Sequence, residues 1–523
     1  MERRANRREK HGGSRGRFLM KPRFFLILWC ISICFSSCRA QNSEPDADAM
    51  WTSTREIRAL RCDGETLWAA TAGGVLRFER GKWTKWTRRE GLPSHEAFAF
   101  EGGNGKTVRV RFASHWADFE GQKWQISDAA PFQSAIPEVS WRGQKVRGEL
   151  EGLRVGKRNF GFPATSGATH IAALQPRGKT LLVGLYNAGI WNFDGAKWKR
   201  AFSDLPQNAR EITALAQNEK AVWVGTRRDG IFRFRDGKWT PFTRDEPYNA
   251  NIQNLGQFGG VLYGSTLDDG LILRENGKWK RVSTPVLSSN APRQMVEWKN
   301  QLFVRHGSGV VDSFDGKNWT KNALKSAPRA GIYALASDEN TLFAAGWGGW
   351  SEWDGEKWTP HFEIAALKNV PVMGFLPDGE WLWIATQSRG VGRFHRASGE
   401  FRFFDERDGL GDDWITTLQK IDGKIYAGTF VGGLARLDGE KWHPFEALRG
   451  QNITAIEGDG QGTIWVAARR GLWKISGDSA QKIDVDGLES ELQTLWKGEN
   501  GLWIGARTSL SFRKQSSTRD SEK

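Results

Sequence analysis

Few residues in this chain are of a type and spacing that could do chemistry. Eight His are scattered through 523 residues, and none stands at a known spacing from a Ser, Cys or Glu, so no nucleophile–base motif is written in the sequence. His95, His115 and His395 fall in or beside loops, each alone. Of four Cys, Cys30 and Cys34 lie in the apolar run 24–35 (FFLILWCISICF), Cys38 lies just past it, and Cys62 is left for the rest of the chain. That count gives neither a disulfide framework nor a Cys/His metal spacing. No catalytic residue, metal site or cofactor is assigned. What stands out instead is a set of short loops that combine aromatic side chains with guanidinium groups: SHW (114–116), LYNAG (185–189), TRRDG (226–230), GWGG (346–349), TQSRG (386–390), TFVGG (429–433) and ARRG (468–471). They carry Trp116, Tyr186, Trp347 and Phe430 alongside Arg227, Arg228, Arg389, Arg469 and Arg470. Aromatic faces stack on sugar rings, and the Arg fork matches a carboxylate or sulfate bidentately. An anionic glycan or similar ligand is the chemistry such a set fits. The alternative for any single residue is a solvated loop charge or a packed aromatic cap.

These loops recur because the sequence around them recurs, at roughly 40 residues per unit from about residue 50 onward. An inner strand reads ITALAQ (212–217), IYALAS (332–337) or ITAIEG (453–458), and a second reads LWAAT (67–71), VWVGT (222–226) or LWIAT (382–386). A Gly-containing turn leads to a third strand such as GIFRF (230–234), and a polar step precedes a Trp-bearing fourth, as in RDGKWTPF (235–242). Aligned on the aromatic of the second strand, the units form a ladder: Trp68, Arg109, Val146, Leu182, Trp223, Tyr263, Phe303, Phe343, Trp383, Tyr426, Trp465 and Trp503, spaced by 36 to 43 residues. Arg109, Val146 and Leu182 are poor matches.

In LWIAT both faces of the strand are apolar, so it must be covered on both sides. Gly or Ala two residues past the rung permits close approach. The steps Asp194-Gly195, Asp236-Gly237, Asp354-Gly355 and Asp438-Gly439 suit two-residue hairpin turns with positive φ. The Trp after each turn (Trp83, Trp124, Trp198, Trp239, Trp279, Trp319, Trp358 and Trp442) offers a large apolar area to bury. With 61 Gly, 27 Trp and only 5 Tyr and 5 Met, composition agrees with short strands and tight turns. The fold class expected is all-β, a β-propeller of about twelve four-stranded repeats.

The strand LW(I/V)(G/A)T, its Gly turn and the polar hairpin resemble the two-component regulator propeller repeat; DGQGTIWVAARRGLWKI (459–475) is a close match, and the resemblance covers roughly residues 50–515. It implies a propeller. In that family such repeats often form the periplasmic sensor of hybrid histidine kinases, where they recognise glycans. After Trp503 about twenty residues remain, ending SSTRDSEK, and they contain neither a kinase nor a helix-turn-helix. The resemblance therefore implies binding without signalling in cis.

Twelve blades exceed the usual four to eight. Two propellers are expected, repeats 1–6 over 50–288 and repeats 7–12 over 289–515, with STPVLSSNAP (283–292) at the boundary and 516–523 a charged tail. The last unit lacks a fourth strand, while Met50-Trp51-Thr52 resembles a spare one. Pairing them would close the last blade, which leaves a single ring, or one propeller inserted within another, as alternatives.

At the start, Lys21 and Arg23 precede an apolar run too short to span a bilayer as a helix and of signal-peptide length. Ser36-Ser37-Cys38 then resembles a bacterial lipobox, with Phe35 where Leu is usual; this implies lipidation of Cys38, export to the cell envelope and membrane attachment through lipid alone. An ordinary signal cut near Ala40 is the alternative. Met20 begins a compact signal of its own, so 1–38 reads as an extension plus signal and 39–49 as a polar tether. Of the formal charge of +15, +8 sits in residues 1–40, and the remainder has no long basic run, so nucleic acid is not an expected partner. Three functions remain: a non-enzymatic envelope protein binding polysaccharide, a scaffold holding envelope proteins, and a carbohydrate-active lyase or hydrolase whose residues come from different blades.

Overall fold

All twelve rungs of the ladder are second strands of four-stranded antiparallel sheets. In chain order, sheets 1 to 12 span 57–86, 99–128, 138–161, 171–200, 212–241, 252–282, 292–320, 334–361, 372–404, 415–444, 453–483 and 492–514, the last completed by 49–51. The poor rungs comply as well, in Val108–Arg111, Gln144–Glu149 and Thr180–Leu185. The computed structural model describes residues 44–515 apart from 46, 102–106, 134–135, 164–165, 243–246, 248, 330 and 490. The apolar run 24–35, Cys38 and the charged tail 516–523 lie outside the described residues. Among the described residues, no helix is long and apolar enough to cross a membrane.

Coverage on both faces is what the second strands show: residues 382–386 of Trp381–Thr386 are all buried. The fourth-strand Trp residues pack on third-strand aromatics, as Trp83 on Phe78 (5.1 Å), Trp198 on Phe193 (4.8 Å) and Trp239 on Phe234 (5.1 Å). The Asp-Gly steps divide. Asp236 and Gly237 both take positive φ (51° and 75°), as a two-residue turn of this kind requires. Asp194 and Asp354 instead accept from the N–H groups two and three residues on, so their carboxylates hold a wider turn and Gly alone takes positive φ.

The inner strands pack in two groups that divide between sheets 5 and 6, not at the expected 288/289. Sheet 5 packs back onto sheet 1, while sheet 12 packs back onto sheet 6. Sheets 6–12 thus pack in a closed run of seven, the seven-sheet ring; sheets 3, 4, 5, 1 and 2 make a second group in which sheet 5 meets sheet 1, called below the five-sheet ring. The reason is fit. Ile57 of sheet 1 lies against Gly225 of sheet 5, where a Cβ would come within 2.9 Å of the Ile57 Cβ, and Ile252 of sheet 6 lies likewise against Gly505 of sheet 12. Thr213 Oγ1 donates to the Ile57 carbonyl at 2.5 Å, and Phe242 packs on Phe78 at 4.7 Å. The Ser/Pro-rich stretch 283–292 joins two neighbouring sheets of the seven-sheet ring.

The N-terminal strand Ala49–Trp51 pairs with the last strand of the chain, Trp51 opposite Leu510 and Ala49 opposite Phe512. Trp51 stacks on Trp503 (5.6 Å, 17°) and meets Trp279 edge-on (5.7 Å, 73°). From Ala49 onward the chain therefore supplies a strand to the seven-sheet ring, then builds sheets 1–5, and then returns to sheets 6–12.

Candidate functional site

In each ring, the loop between second and third strands is bonded to the segment leading into the next sheet. Gly230 N–H donates to Arg55 O (2.9 Å), Gly270 to Asn290 O (2.8 Å), Gly348 to Val370 O (2.9 Å) and Gly390 to Asp413 O (2.9 Å). These loops and connections therefore share a face. A second regularity sets one residue of the inner strand outside the ladder. In nine sheets the inner strand bulges after its first residue, leaving one residue unpaired in the ladder, such as Arg58, Thr213, Gln253, Arg293, Met373, Thr416, Thr454 or Gln493. Where that residue is Thr it closes onto the neighbouring sheet, as Thr416 Oγ1 does on Ile453 O (2.5 Å) and Thr454 Oγ1 on Leu492 O (2.9 Å). Gln253 and Gln493 bond each other across the seam of the seven-sheet ring.

The nine residues expected at a site divide between the rings. Trp116, Tyr186, Arg227 and Arg228 belong to the five-sheet ring; Trp347, Arg389, Phe430, Arg469 and Arg470 belong to the seven-sheet ring. Trp116 packs under Arg111, whose guanidinium lies 4.7 Å from the ring centroid. Tyr186 stacks on His170 (4.9 Å, 19°) and, with Asp268, helps hold Arg227 in its charged form.

Arg227 and Arg228 face a cleft of about 210 Å³ where the rings meet, and both are engaged there. Arg227 bonds Asp268 of sheet 6 at 3.0 Å, and Arg228 takes both oxygens of Glu211 at 2.6 and 2.8 Å. Further pairs cross the cleft: Arg281 bonds Asp269 and reaches back to Asp229, both at 2.9 Å, while Glu96 lies between Arg58 (2.8 Å) and Arg507. Asp269 is only 2% exposed, and its Oδ2 has no partner. Burial pushes its carboxyl up to about 7 against the pull of Arg281 and Arg228. This cleft holds the rings together more than it offers free guanidinium groups.

The mouth of the seven-sheet ring is different. Trp347 is 50% exposed, its backbone held by Arg329, which donates to Trp347 O at 2.7 Å. Phe430 is exposed on one face and stacked on Trp414 on the other (4.3 Å, 15°). Tyr333 and Met373 also stand exposed, where the inner strands of sheets 8 and 9 begin, and Val431, 56% exposed, follows Phe430. Arg389 lies 5.4 Å from the centroid of Phe403. Arg469 is 3.8 Å from Glu491, and Arg470 is exposed in the same loop. A wide aromatic surface edged by guanidinium groups is suited to hold a flat, partly apolar ligand with acidic groups.

The sequence reading missed Trp414, Tyr333, Met373, Arg293 and Arg305. The first three sit at the starts of inner strands, where the alternating pattern does not show which side chain stays exposed. Arg305 had a visible signal, since it stands where most units have Gly or Ala. The His–carboxylate pair His306–Asp312 (2.8 Å) also went unforeseen. Both residues are fully buried, and the hydrogen bonds from His306, Ser288 and Asn322 outweigh burial and hold the Asp312 carboxyl down at about 2.

No family model and no curated protein matches this chain. Solved structures similar to it include the extracellular domain of BT4673 from B. thetaiotaomicron, assigned to a hybrid two-component system (16% identity, covering 88% of this chain and 70% of that one, TM-score 0.44). A GH74 enzyme of Niastella koreensis is similar at 11% identity, with 90% and 100% covered and a TM-score of 0.46. PorZ, a surface component of the type-IX secretion system of Porphyromonas gingivalis, is similar at 12% identity, with 88% and 79% covered and a TM-score of 0.34. Likenesses of this order carry nothing about ligand or activity; the twelve four-stranded sheets themselves make the chain an all-β propeller protein.

Proposed function

We propose that this chain is an exported, non-enzymatic propeller protein of the bacterial cell envelope that binds a ligand at the mouth of its seven-sheet ring, an anionic glycan being the class that fits. One observation carries the reading. Among the described residues, five of the ten exposed large apolar side chains (Tyr333, Trp347, Met373, Phe430 and Val431) stand on the loops and inner-strand starts of three successive sheets of this ring, 8, 9 and 10. Contiguous exposed apolar surface on a folded protein marks an interaction site. The guanidinium groups of Arg389, Arg469 and Arg470 on neighbouring loops supply the complement for acidic groups. Against an acid–base role stands the burial of the best-formed His–carboxylate pair, His306–Asp312, which no substrate can reach.

The test is thermal unfolding of the chain with acidic and neutral polysaccharides. Ligand at a hundred times its dissociation constant adds about 2.7 kcal/mol to the native state. A midpoint raised by acidic polymers only supports the reading; no shift with any of them refutes it and favours the scaffold role. That second reading draws on Met373 and Val431, apolar side chains suited to a protein partner. Lipid attachment is tested separately: Cys38→Ser should abolish fatty-acid labelling, and persistent labelling would remove Cys38 as the anchor.

A further inference from the structure

Two residues past each rung, ten of the twelve sheets carry Gly, Ala or Ser. The neighbouring inner strand packs there: a Cβ on Gly184, Gly428 or Gly505 would meet Ile212, Ile453 or Ile252. The two exceptions are Arg111 in sheet 2 and Arg305 in sheet 7. Arg111 is satisfied. It donates to His115 O at 3.2 Å and to Ala130 O, and its guanidinium lies over Trp116.

Arg305 is not. Its Nη1 makes one long donation, to His306 O at 3.3 Å, and its Nε is buried without a partner. Burial, with the like charge of Arg293, pushes its pKa down to about 10, and among the described residues no carboxylate offsets them. The adjacent Asp312 is taken up by His306, Ser288 and Asn322. Arg293 is the bulged residue of the same sheet. It donates to Leu267 O at 2.9 Å, and its Nε lies over the loop at Gly307, 3.7 Å from where a Cβ would stand. Asp268 is the acidic group that acts on Arg293, and it is bonded by Arg227.

A buried N–H without an acceptor and two like charges beside one stretch of backbone, His306 and Gly307, are both unfavourable, and one oxoanion accepting from both would relieve them together. We infer that Arg293 and Arg305 bind the carboxylate or sulfate group of a ligand at the mouth of the seven-sheet ring. The identity of the polymer carrying that group rests on the proposed glycan-binding role; the chemistry of the pair rests on sheet 7 alone.

The experiment titrates the chain with sodium sulfate against sodium chloride at equal ionic strength and reads the unfolding midpoint. Sulfate stabilises folded proteins generally, without saturation at these concentrations, so the signal is a saturable excess over chloride. Arg305→Ala and Arg293→Ala should weaken that excess by roughly tenfold or more, whereas Arg177→Ala in the five-sheet ring should leave it intact. Arg305→Ala installs the residue that sheets 1, 8, 9 and 11 carry at this place, as Ala70, Ala345, Ala385 and Ala467, so it should fold. Its midpoint in chloride should exceed the parent's, because an uncompensated buried charge is gone. No saturable excess in the parent chain, or an excess that both variants retain, overturns the assignment. Alginate, a polymer of uronates, separates the two claims. Sulfate bound through Arg305 with no alginate binding keeps the pair and removes the glycan. Alginate bound equally by the parent and Arg305→Ala removes the pair and keeps the glycan.

Discussion

Replacing Trp51 by Ala should loosen the last strand of the chain while leaving the five-sheet ring untouched, although Trp51 immediately precedes that ring in sequence. Trp51 is half-buried, stacked on Trp503 at 5.6 Å, edge-on to Trp279 at 5.7 Å, and 5.4 Å from the Arg274 guanidinium. Removing a fully buried Trp side chain costs about 3–5 kcal/mol. The partial exposure of Trp51 lowers that figure, while two aromatic pairs at about 0.5–1.5 kcal/mol each set a floor, so about 2–3 kcal/mol is the expected loss. The backbone pairing of 49–51 with 510–512 survives the substitution, so the loss is one of packing. Hydrogen exchange reads it locally. If the sheet opens independently, 2–3 kcal/mol corresponds to amides of Leu510–Lys514 exchanging roughly 30- to 150-fold faster. Amides of Ile57–Asp63 and Ile212–Gln217, in the five-sheet ring, should keep their rates. Acceleration under threefold at Leu510–Lys514, or equal acceleration in both rings, would refute the closure of the seven-sheet ring by the N-terminal strand.

Two further perturbations address the ring junctions. Gly225→Val puts a branched side chain against Ile57 and should destabilise the five-sheet ring by about 1–3 kcal/mol in urea unfolding, whereas Gly256→Ala, which enters open space, should be near neutral; equal effects would contradict the fit of sheet 5 on sheet 1. Asp269 gives the cleft a pH dependence. Its folded-state pKa, about 7, lies above the unfolded value of about 4, so folding retains a proton between the two and stability falls as pH rises from about 4 to about 7. Asp269→Asn should flatten that fall in urea midpoints measured across this range. Glu457, pushed to about 7 by its own burial, supplies a remaining slope of the same sign. Identical pH profiles for parent and variant would mean that Asp269 ionises normally.

How much of this was legible before the structure depends on how local each cause is. The four strands of a unit follow from short-range pattern, so even Arg109 and Val146, weak as rungs, were placed on the correct strands. The spare strand at Trp51 was legible because a missing fourth strand leaves an edge to be filled. The Asp-Gly turns were read too uniformly, because an Asp side chain can hold the turn itself, as Asp194 does. The partition into five and seven was not legible: it depends on whether Ile57 fits Gly225, a contact between residues far apart in sequence that the repeat pattern does not distinguish from any other Ile–Gly pair. The same holds for Arg227 and Arg228. As loop charges they resemble Arg389 and Arg470, and only the meeting of two rings brings Asp268, Asp269 and Glu211 to them.

The most direct test of the binding role is an equilibrium titration, with an acidic polysaccharide that raises the unfolding midpoint, of the parent chain and of the double variant Trp347→Ala/Phe430→Ala. Two lost aromatic contacts at about 1 kcal/mol each predict affinity weaker by roughly tenfold to thirtyfold, with the fold intact because both side chains stand on surface loops, Trp347 half exposed and Phe430 stacked on Trp414. Unchanged affinity in the double variant would contradict the placement of the ligand at the mouth of the seven-sheet ring.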